Sequence, residues 1–146
     1  MNQKGFTLIE GVLSIALIGI ALVGILYAFQ GSVRSSLLAD QTVIAANVAR
    51  DTMEEIIAQK DCNESGCGYA ATLSSISAQS YDANPVSGFA GYVLDTTALE
   101  VNPDDDNSAD DFLDSQSGSG YARITVVVNW NNGGNSYVLE TLLASY

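Results

Sequence analysis

The longest apolar stretch of the chain lies near its N-terminus. Val12 to Phe29, VLSIALIGIALVGILYAF, runs for eighteen residues without a charged side chain. Extended back to Phe6 it covers 24 residues and meets one ionisable group, Glu10. At about 1.5 Å per residue, a helix of this length crosses a hydrocarbon core of ~30 Å with some tilt to spare. A secretory signal has a shorter apolar region, about 7–15 residues, closed by a small-residue cleavage site. No Ala-x-Ala-like site follows this run. The pattern therefore predicts a membrane span that stays on the protein.

Beyond the span the period becomes helical and amphipathic. No Pro falls between Val33 and Lys60. Helical spacing gathers Val33, Leu37, Leu38, Ile44, Ala45, Val48, Ala49, Thr52 and Ile56 along one side. Ser36, Asp40, Asn47, Arg50 and Glu54 take the other side, with Glu55 inside the apolar stripe and Val43 outside it. The simplest reading is one helix from about Phe6 to Gln59, on the order of 80 Å long at 1.5 Å per residue. Residues 6–30 form its lipid half and 31–60 its amphipathic half. A helix longer than its own domain needs is expected to pack the surplus against other subunits.

From residue 61 to 146 the pattern is β. Ala122, Ile124, Val126, Val128 and Trp130 alternate with Tyr121, Arg123, Thr125, Val127 and Asn129, a period of two. Asn131-Asn132-Gly133-Gly134-Asn135 then supplies residues that tolerate positive φ, and a second strand, Ser136 to Ala144, completes a hairpin. A further strand is expected over Gly91–Val101. Residues 68–88, rich in Ser and Ala, give no firm signal. An antiparallel sheet of three to four strands with one apolar face needs a cover, which the amphipathic half-helix provides. The expected class is α+β.

Composition and charge narrow the function. The chain has 146 residues, 5 Lys+Arg, 17 Asp+Glu and no His, for a formal net charge of −12. That charge argues against a nucleic-acid partner, which requires clustered cations. Without His, the Ser-His, Cys-His and His-ligated metal chemistries are excluded, and no Gly-x-Ser-x-Gly elbow or Ser-x-x-Lys pair occurs. An enzyme is not expected. Lys4 ahead of the span places the N-terminus in the cytoplasm, although Arg34 beyond the span opposes this in part. Cys62 and Cys67 then lie across the membrane, where a close pair most simply forms one small disulfide loop. Two thiols are too few for a metal site, and the spacing is not that of a redox Cys-x-x-Cys.

Lys4-Gly5-Phe6-Thr7-Leu8-Ile9-Glu10, followed at once by the apolar run, resembles the processing signal of the type IV pilin and type II secretion pseudopilin superfamily. Ala45 to Glu55 is also similar to the helix of minor pilins of the pilus-modification type and of their secretion-system counterparts. The resemblance implies a leader of residues 1–5, cleaved by prepilin peptidase between Gly5 and Phe6. The same enzyme would then methylate the new amine of Phe6. It further implies a protein held in the bacterial inner membrane by a single pass, and transferred by an inner-membrane assembly platform to a periplasmic or cell-surface filament. There it would contact other pilin subunits through the N-terminal helix. Gly11 and Tyr27 depart from the major-pilin pattern, since Tyr27 stands where many major pilins carry a helix-weakening Pro.

Glu10 has a physical argument beside the family one. A carboxylate in hydrocarbon costs a few kcal/mol on insertion scales and is expected where something needs it. Cleavage would create an α-amine close by, and the resemblance implies that this amine belongs to a neighbouring subunit in the filament. The alternative is a carboxylate near the interface with no partner. Asp104, Asp106, Ser108 and Asp110 occupy alternate positions in an acidic run, a spacing used by Ca²⁺ ligands. Ala109 and Ser115 stand where an EF-hand loop has Gly and a bidentate acid, so the pattern is incomplete, and a solvated loop kept open by its own repulsion is the alternative.

The resulting expectation is a minor pilin that initiates, assembles or modifies a type IV pilus. A minor pseudopilin of a type II secretion system is the alternative within the superfamily. A membrane-tethered Ca²⁺-binding or adhesive domain that does not assemble is the alternative of another class.

Overall fold

The computed structural model describes residues 7–62, 64–103 and 115–145. The element order is helix α1 (Leu8–Asp61), helix α2 (Tyr69–Ser77), then strands β1 (Tyr92–Glu100), β2 (Tyr121–Trp130) and β3 (Asn135–Ala144). The sheet is antiparallel in the order β1-β2-β3. This is the expected α+β arrangement, with three strands among the described residues. The chain divides into two compact units, Met1–Gln41 and Thr42–Tyr146.

In the first unit, α1 continues through Gly19, Gly24 and Tyr27 without a break. Each Gly weakens a helix by about 1 kcal/mol relative to Ala, but no Pro removes a backbone donor here. Apart from Gly11 and Ser14, which are half-buried, every residue from Thr7 to Gln41 is exposed.

The second unit is built around β2. Its alternation places Ala122, Ile124, Val126 and Val128 at zero exposure, and Trp130 is buried too. A one-residue slip would turn this whole set to the opposite face, so the pattern fixes the register. Val126 lies opposite Thr96 on β1 and Leu139 on β3, and Val128 lies opposite Leu94 and Tyr137. Directly opposed residues share a face, so these rows form one apolar surface. Ala45, Val48, Ala49, Met53 and Ile56 of α1 join the same buried cluster, together with Ile76 of α2. The small residues Ala45, Ala49 and Ala122 permit close approach of backbones. Each fully buried Val or Ile contributes roughly 1.5–3 kcal/mol.

The burial refines the expected stripe. It begins at Ile44 and Ala45, whereas Val33, Leu37 and Leu38 are exposed. Met53, absent from the expected stripe, is buried, and Glu55, placed within it, is exposed. The reason is angular. The buried seam steps 45, 48, 49, 52, 53, 56, and residue 55 falls on its margin, at 300° from Thr52 by the ~100° helical step.

Helix α2 occupies part of the stretch that gave no firm sequence signal. Its buried side follows Tyr69, Thr72, Leu73 and Ile76, a helical spacing that the surrounding Ser and Ala obscured. Gly68, at φ 93°, turns the chain into it, and Thr72 Oγ1 donates back to the Gly68 carbonyl at 2.9 Å. The following segment is tied to β1. Ala83 and Leu94 exchange backbone hydrogen bonds at 3.0 and 2.8 Å, and Val86 N–H donates to the Tyr92 carbonyl at 2.8 Å. The Asn84-Pro85 peptide between these ties is cis.

Candidate membrane-anchoring and assembly segment

Thr7 opens the first turn of α1. Its carbonyl accepts the backbone N–H groups of Glu10 at 3.1 Å and Gly11 at 3.2 Å. Glu10 therefore sits in the first helical turn. A carboxylate there is favoured by the partial positive charge of the free N–H groups, by about 0.3–1 kcal/mol where solvent reaches it. Glu10 is exposed, and among the described residues no cation lies within ion-pair distance of it. The only Lys or Arg between Gly5 and Ala49 is Arg34, and it lies 24 residues further along the chain. At about 1.5 Å per residue that is ~36 Å along a helix, far beyond ion-pair reach.

Helix α1 carries a window long and apolar enough to cross a membrane, and none of that window is buried. Leu8, Ile15, Val23, Leu26 and Phe29 all stand exposed. Surface this apolar and this continuous is stable only against lipid or another apolar surface. The other expected processing residues, Gly5 and Phe6, lie outside the described residues, as do Asp104, Asp106, Ser108 and Asp110 of the acidic run. Among the described residues no group of three or more His, Cys, Asp or Glu could hold a metal ion.

Cys62 and Cys67 are bonded to each other, with Cα atoms 5.6 Å apart. The small loop they close links the end of α1 to the approach to α2. Gly68 N–H donates to the Gln59 carbonyl at 3.0 Å across the base of that loop. Gln59 Nε2 also donates to Ser75 Oγ at 3.0 Å, and the Tyr81 hydroxyl donates to Gln59 Oε1. Burial, with the Glu55 charge adding, holds the Tyr81 phenol above its ordinary pKa. The loop thus belongs to a polar clasp that joins α1, α2 and the following segment.

A second clasp was not visible in the sequence. Glu100, at the end of β1, accepts from the Tyr69 hydroxyl at 3.3 Å and from Gly118 N–H at 2.8 Å. Burial, the Glu100 charge and their hydrogen bond push the Tyr69 phenol up to about 12. Tyr69 and Glu100 are 31 residues apart, and no local pattern pairs them. Both clasps are structural: neither sets a nucleophile beside a base.

Residues 1–26 match the family described as the prokaryotic N-terminal methylation motif. No curated protein and no solved structure matches the chain. The matched stretch takes in Gly5, Phe6, Glu10 and the first part of the apolar helix. It is the signal of type IV pilins and pseudopilins, and it indicates a substrate of prepilin peptidase. Such a motif marks a structural subunit, anchored in a membrane and later assembled into a pilus-like filament.

Proposed function

We propose that this chain is a minor pilin, which takes part in initiation, assembly or modification of a type IV pilus. Prepilin peptidase cleaves between Gly5 and Phe6 and methylates the amine so exposed. The 25 residues from Phe6 to Gln30 hold the subunit in the inner membrane with the N-terminus cytoplasmic. Leaving lipid for a filament is then an exchange between two apolar environments, so the greasy surface of α1 need never face water. The second unit, folded on its own core, is carried outward.

The observation that carries this reading is the motif at residues 1–26 on a helix whose apolar surface is left uncovered. Glu10 supplies the specificity. An acid in the first turn, without a cation in ion-pair reach among the described residues, is complemented by the new N-terminal amine of a neighbouring subunit. That pairing aligns an incoming helix in the membrane and would be lost without the carboxylate. Continuity of α1 through Tyr27 fits a minor subunit better than the main filament protein.

The test is replacement of Glu10 by Ala in the native host. The variant is expected to be cleaved and membrane-inserted as before, but to be missing from sheared filaments. Equal incorporation of variant and wild type would refute the assembly role of Glu10. Mass spectrometry of envelope material checks the preceding step, since residues 1–5 still attached in peptidase-positive cells would remove the basis of the proposal. Deleting the gene separates the superfamily alternatives, with loss of surface pili expected; loss of exoprotein secretion with pili intact would assign a pseudopilin instead.

A further inference from the structure

Among the described residues, β1 and β3 are the edges of the sheet, and the fold treats them differently. The outer side of β1 is closed. Ala83 exchanges backbone hydrogen bonds with Leu94, and Val86 N–H donates to the Tyr92 carbonyl. Asp82 Oδ1 accepts the Thr96 N–H at 2.7 Å, and Gln116 N–H donates to the Glu100 carbonyl at 2.9 Å. The outer side of β3 is open. Ser145 N–H donates to the Gly120 carbonyl at 2.9 Å, which continues the β2–β3 ladder, and hydrogen-bonded pairs alternate along an antiparallel pair. Tyr137, Leu139, Thr141 and Leu143 therefore direct their N–H and C=O groups to β2. Ser136, Val138, Glu140 and Leu142 direct theirs away, and among the described residues none of those groups has a partner.

An open edge is a template for another strand, and proteins blunt it with a Pro, a Lys, a bulge, a short strand or a covering loop. Among the described residues β3 has none of these. It runs ten residues, NSYVLETLLA, in unbroken register with β2. Its side chains are incompletely covered on both faces. Toward the core, Tyr137 and Leu139 are half-buried, whereas Val128 and Val126 opposite them have zero exposure. On the other face Val138 is 51% and Leu142 43% exposed. A strand laid along β3 bonds the open backbone groups and covers both rows at once.

These features select the occupant. A helix has its backbone groups already bonded, and hydrocarbon has none to offer. The β1 edge of a second copy is closed by the contacts above. Antiparallel pairing of β3 with β3 of a second copy would relate the two by a twofold axis normal to the sheet. The α1 helices packed on that sheet would then run in opposite directions, and their chains would lead to the anchoring segment on opposite sides, against a single membrane. Residues opposite Tyr137 and Leu139 extend the apolar row of the core. Glu140 is the one ionisable side chain of β3, so a cation complements it from the strand directly opposite. We propose that β3 takes up an extended segment of a different protein as a fourth, antiparallel strand, apolar toward the core and with Lys or Arg opposite Glu140. The second unit is then a strand-accepting module, whether or not the chain is a minor pilin.

The probe is the synthetic peptide TVTVKVTVT, amidated and labelled with fluorescein at its N-terminus. It is titrated with the processed full-length chain in zwitterionic detergent. With its Lys opposite Glu140, the Lys and Thr N–H groups face β3 and the Val N–H groups face solvent. Anisotropy should rise saturably, with Kd below ~1 mM. N-methylation of the Lys and the two nearest Thr should weaken binding at least about tenfold, while N-methylation of the Val residues should change it less than about twofold. Replacing the Lys by Glu should weaken it several-fold. Val138→Pro removes one open donor and no bond to β2, so it should weaken binding at least about tenfold with Tm lowered by only a few degrees. Should that variant fail to fold, the two N-methylated peptides decide. The proposal is overturned by no saturable rise up to ~1 mM, by equal loss with both N-methylation patterns, or by wild-type affinity in folded Val138→Pro. It is also overturned if sedimentation of the chain alone shows a dimer that Val138→Pro dissociates, which would assign the edge to a second copy.

Discussion

Ile56 and Ile57 are chain neighbours on α1 with opposite surroundings: Ile56 has zero exposure, whereas Ile57 is 37% exposed. Truncating each to Ala removes the same atoms from the same helix, so helix propensity cancels in the comparison. Ile56 lies in the cluster with Ile124, Val126 and Val128 of β2. Its loss combines the transfer term with the cavity left in a core that cannot fully collapse, for an expected ΔΔG of about 3 kcal/mol. Ile57 loses only part of its contact with protein, and its truncation should cost under about 1 kcal/mol. The second unit spans Thr42–Tyr146, about 100 residues, for which 1 kcal/mol moves Tm by roughly 4–8 °C. Ile56→Ala should therefore lower Tm by more than ~10 °C, and Ile57→Ala by only a few degrees. Thermal unfolding of the full chain in detergent, followed by the emission of buried Trp130, measures both. Equal shifts would mean that this part of α1 does not seat on the sheet as described.

Three further outcomes follow from the polar contacts. Asp82 Oδ1 accepts from the backbone N–H and the hydroxyl of buried Thr96, at 2.7 and 2.8 Å. Asp82→Ala strands both donors and should cost about 2–3 kcal/mol in thermal or denaturant unfolding, whereas Asp82→Asn, which keeps an acceptor, should recover at least half. Tyr69 has a raised pKa of about 12, so its neutral form is favoured by folding. That contribution is complete below pH 10 and is lost as pH rises toward 12, and Tyr81 acts in the same direction. A Tm series over this alkaline range should fall, and should fall less steeply in Tyr69→Phe. Replacing Cys62 and Cys67 together by Ser opens a small loop, worth about 2 kcal/mol by loop-closure entropy, and should lower Tm by roughly ten degrees. A variant as stable as the wild type would show that the surrounding polar clasp suffices without the bond.

Local chemistry by itself determined the anchoring segment, the hairpin and the disulfide. Eighteen uncharged residues have one stable environment, and alternation over Tyr121–Trp130 admits one inward face, because side-chain periodicity is a property of the backbone. The close Cys pair was legible because few other partners exist for it. The expected strand at Gly91–Val101 and the hairpin arm at Ser136–Ala144 differ from β1 and β3 by no more than one residue at an end. What only the tertiary structure decided are relations between distant residues. Burial of α1 starts at Ile44 because that is where the sheet's apolar cluster begins, although the stripe itself extends back to Val33. Helix α2 had the right spacing, but three apolar residues and a Thr among Ser and Ala are too weak to specify nine residues until Ile76 finds the core. Tyr69 meets Glu100, and Asp82 meets Thr96, through chain reversals whose composition says where they turn and not what they bring together. Periodicity is encoded one residue at a time, whereas juxtaposition depends on every intervening turn at once.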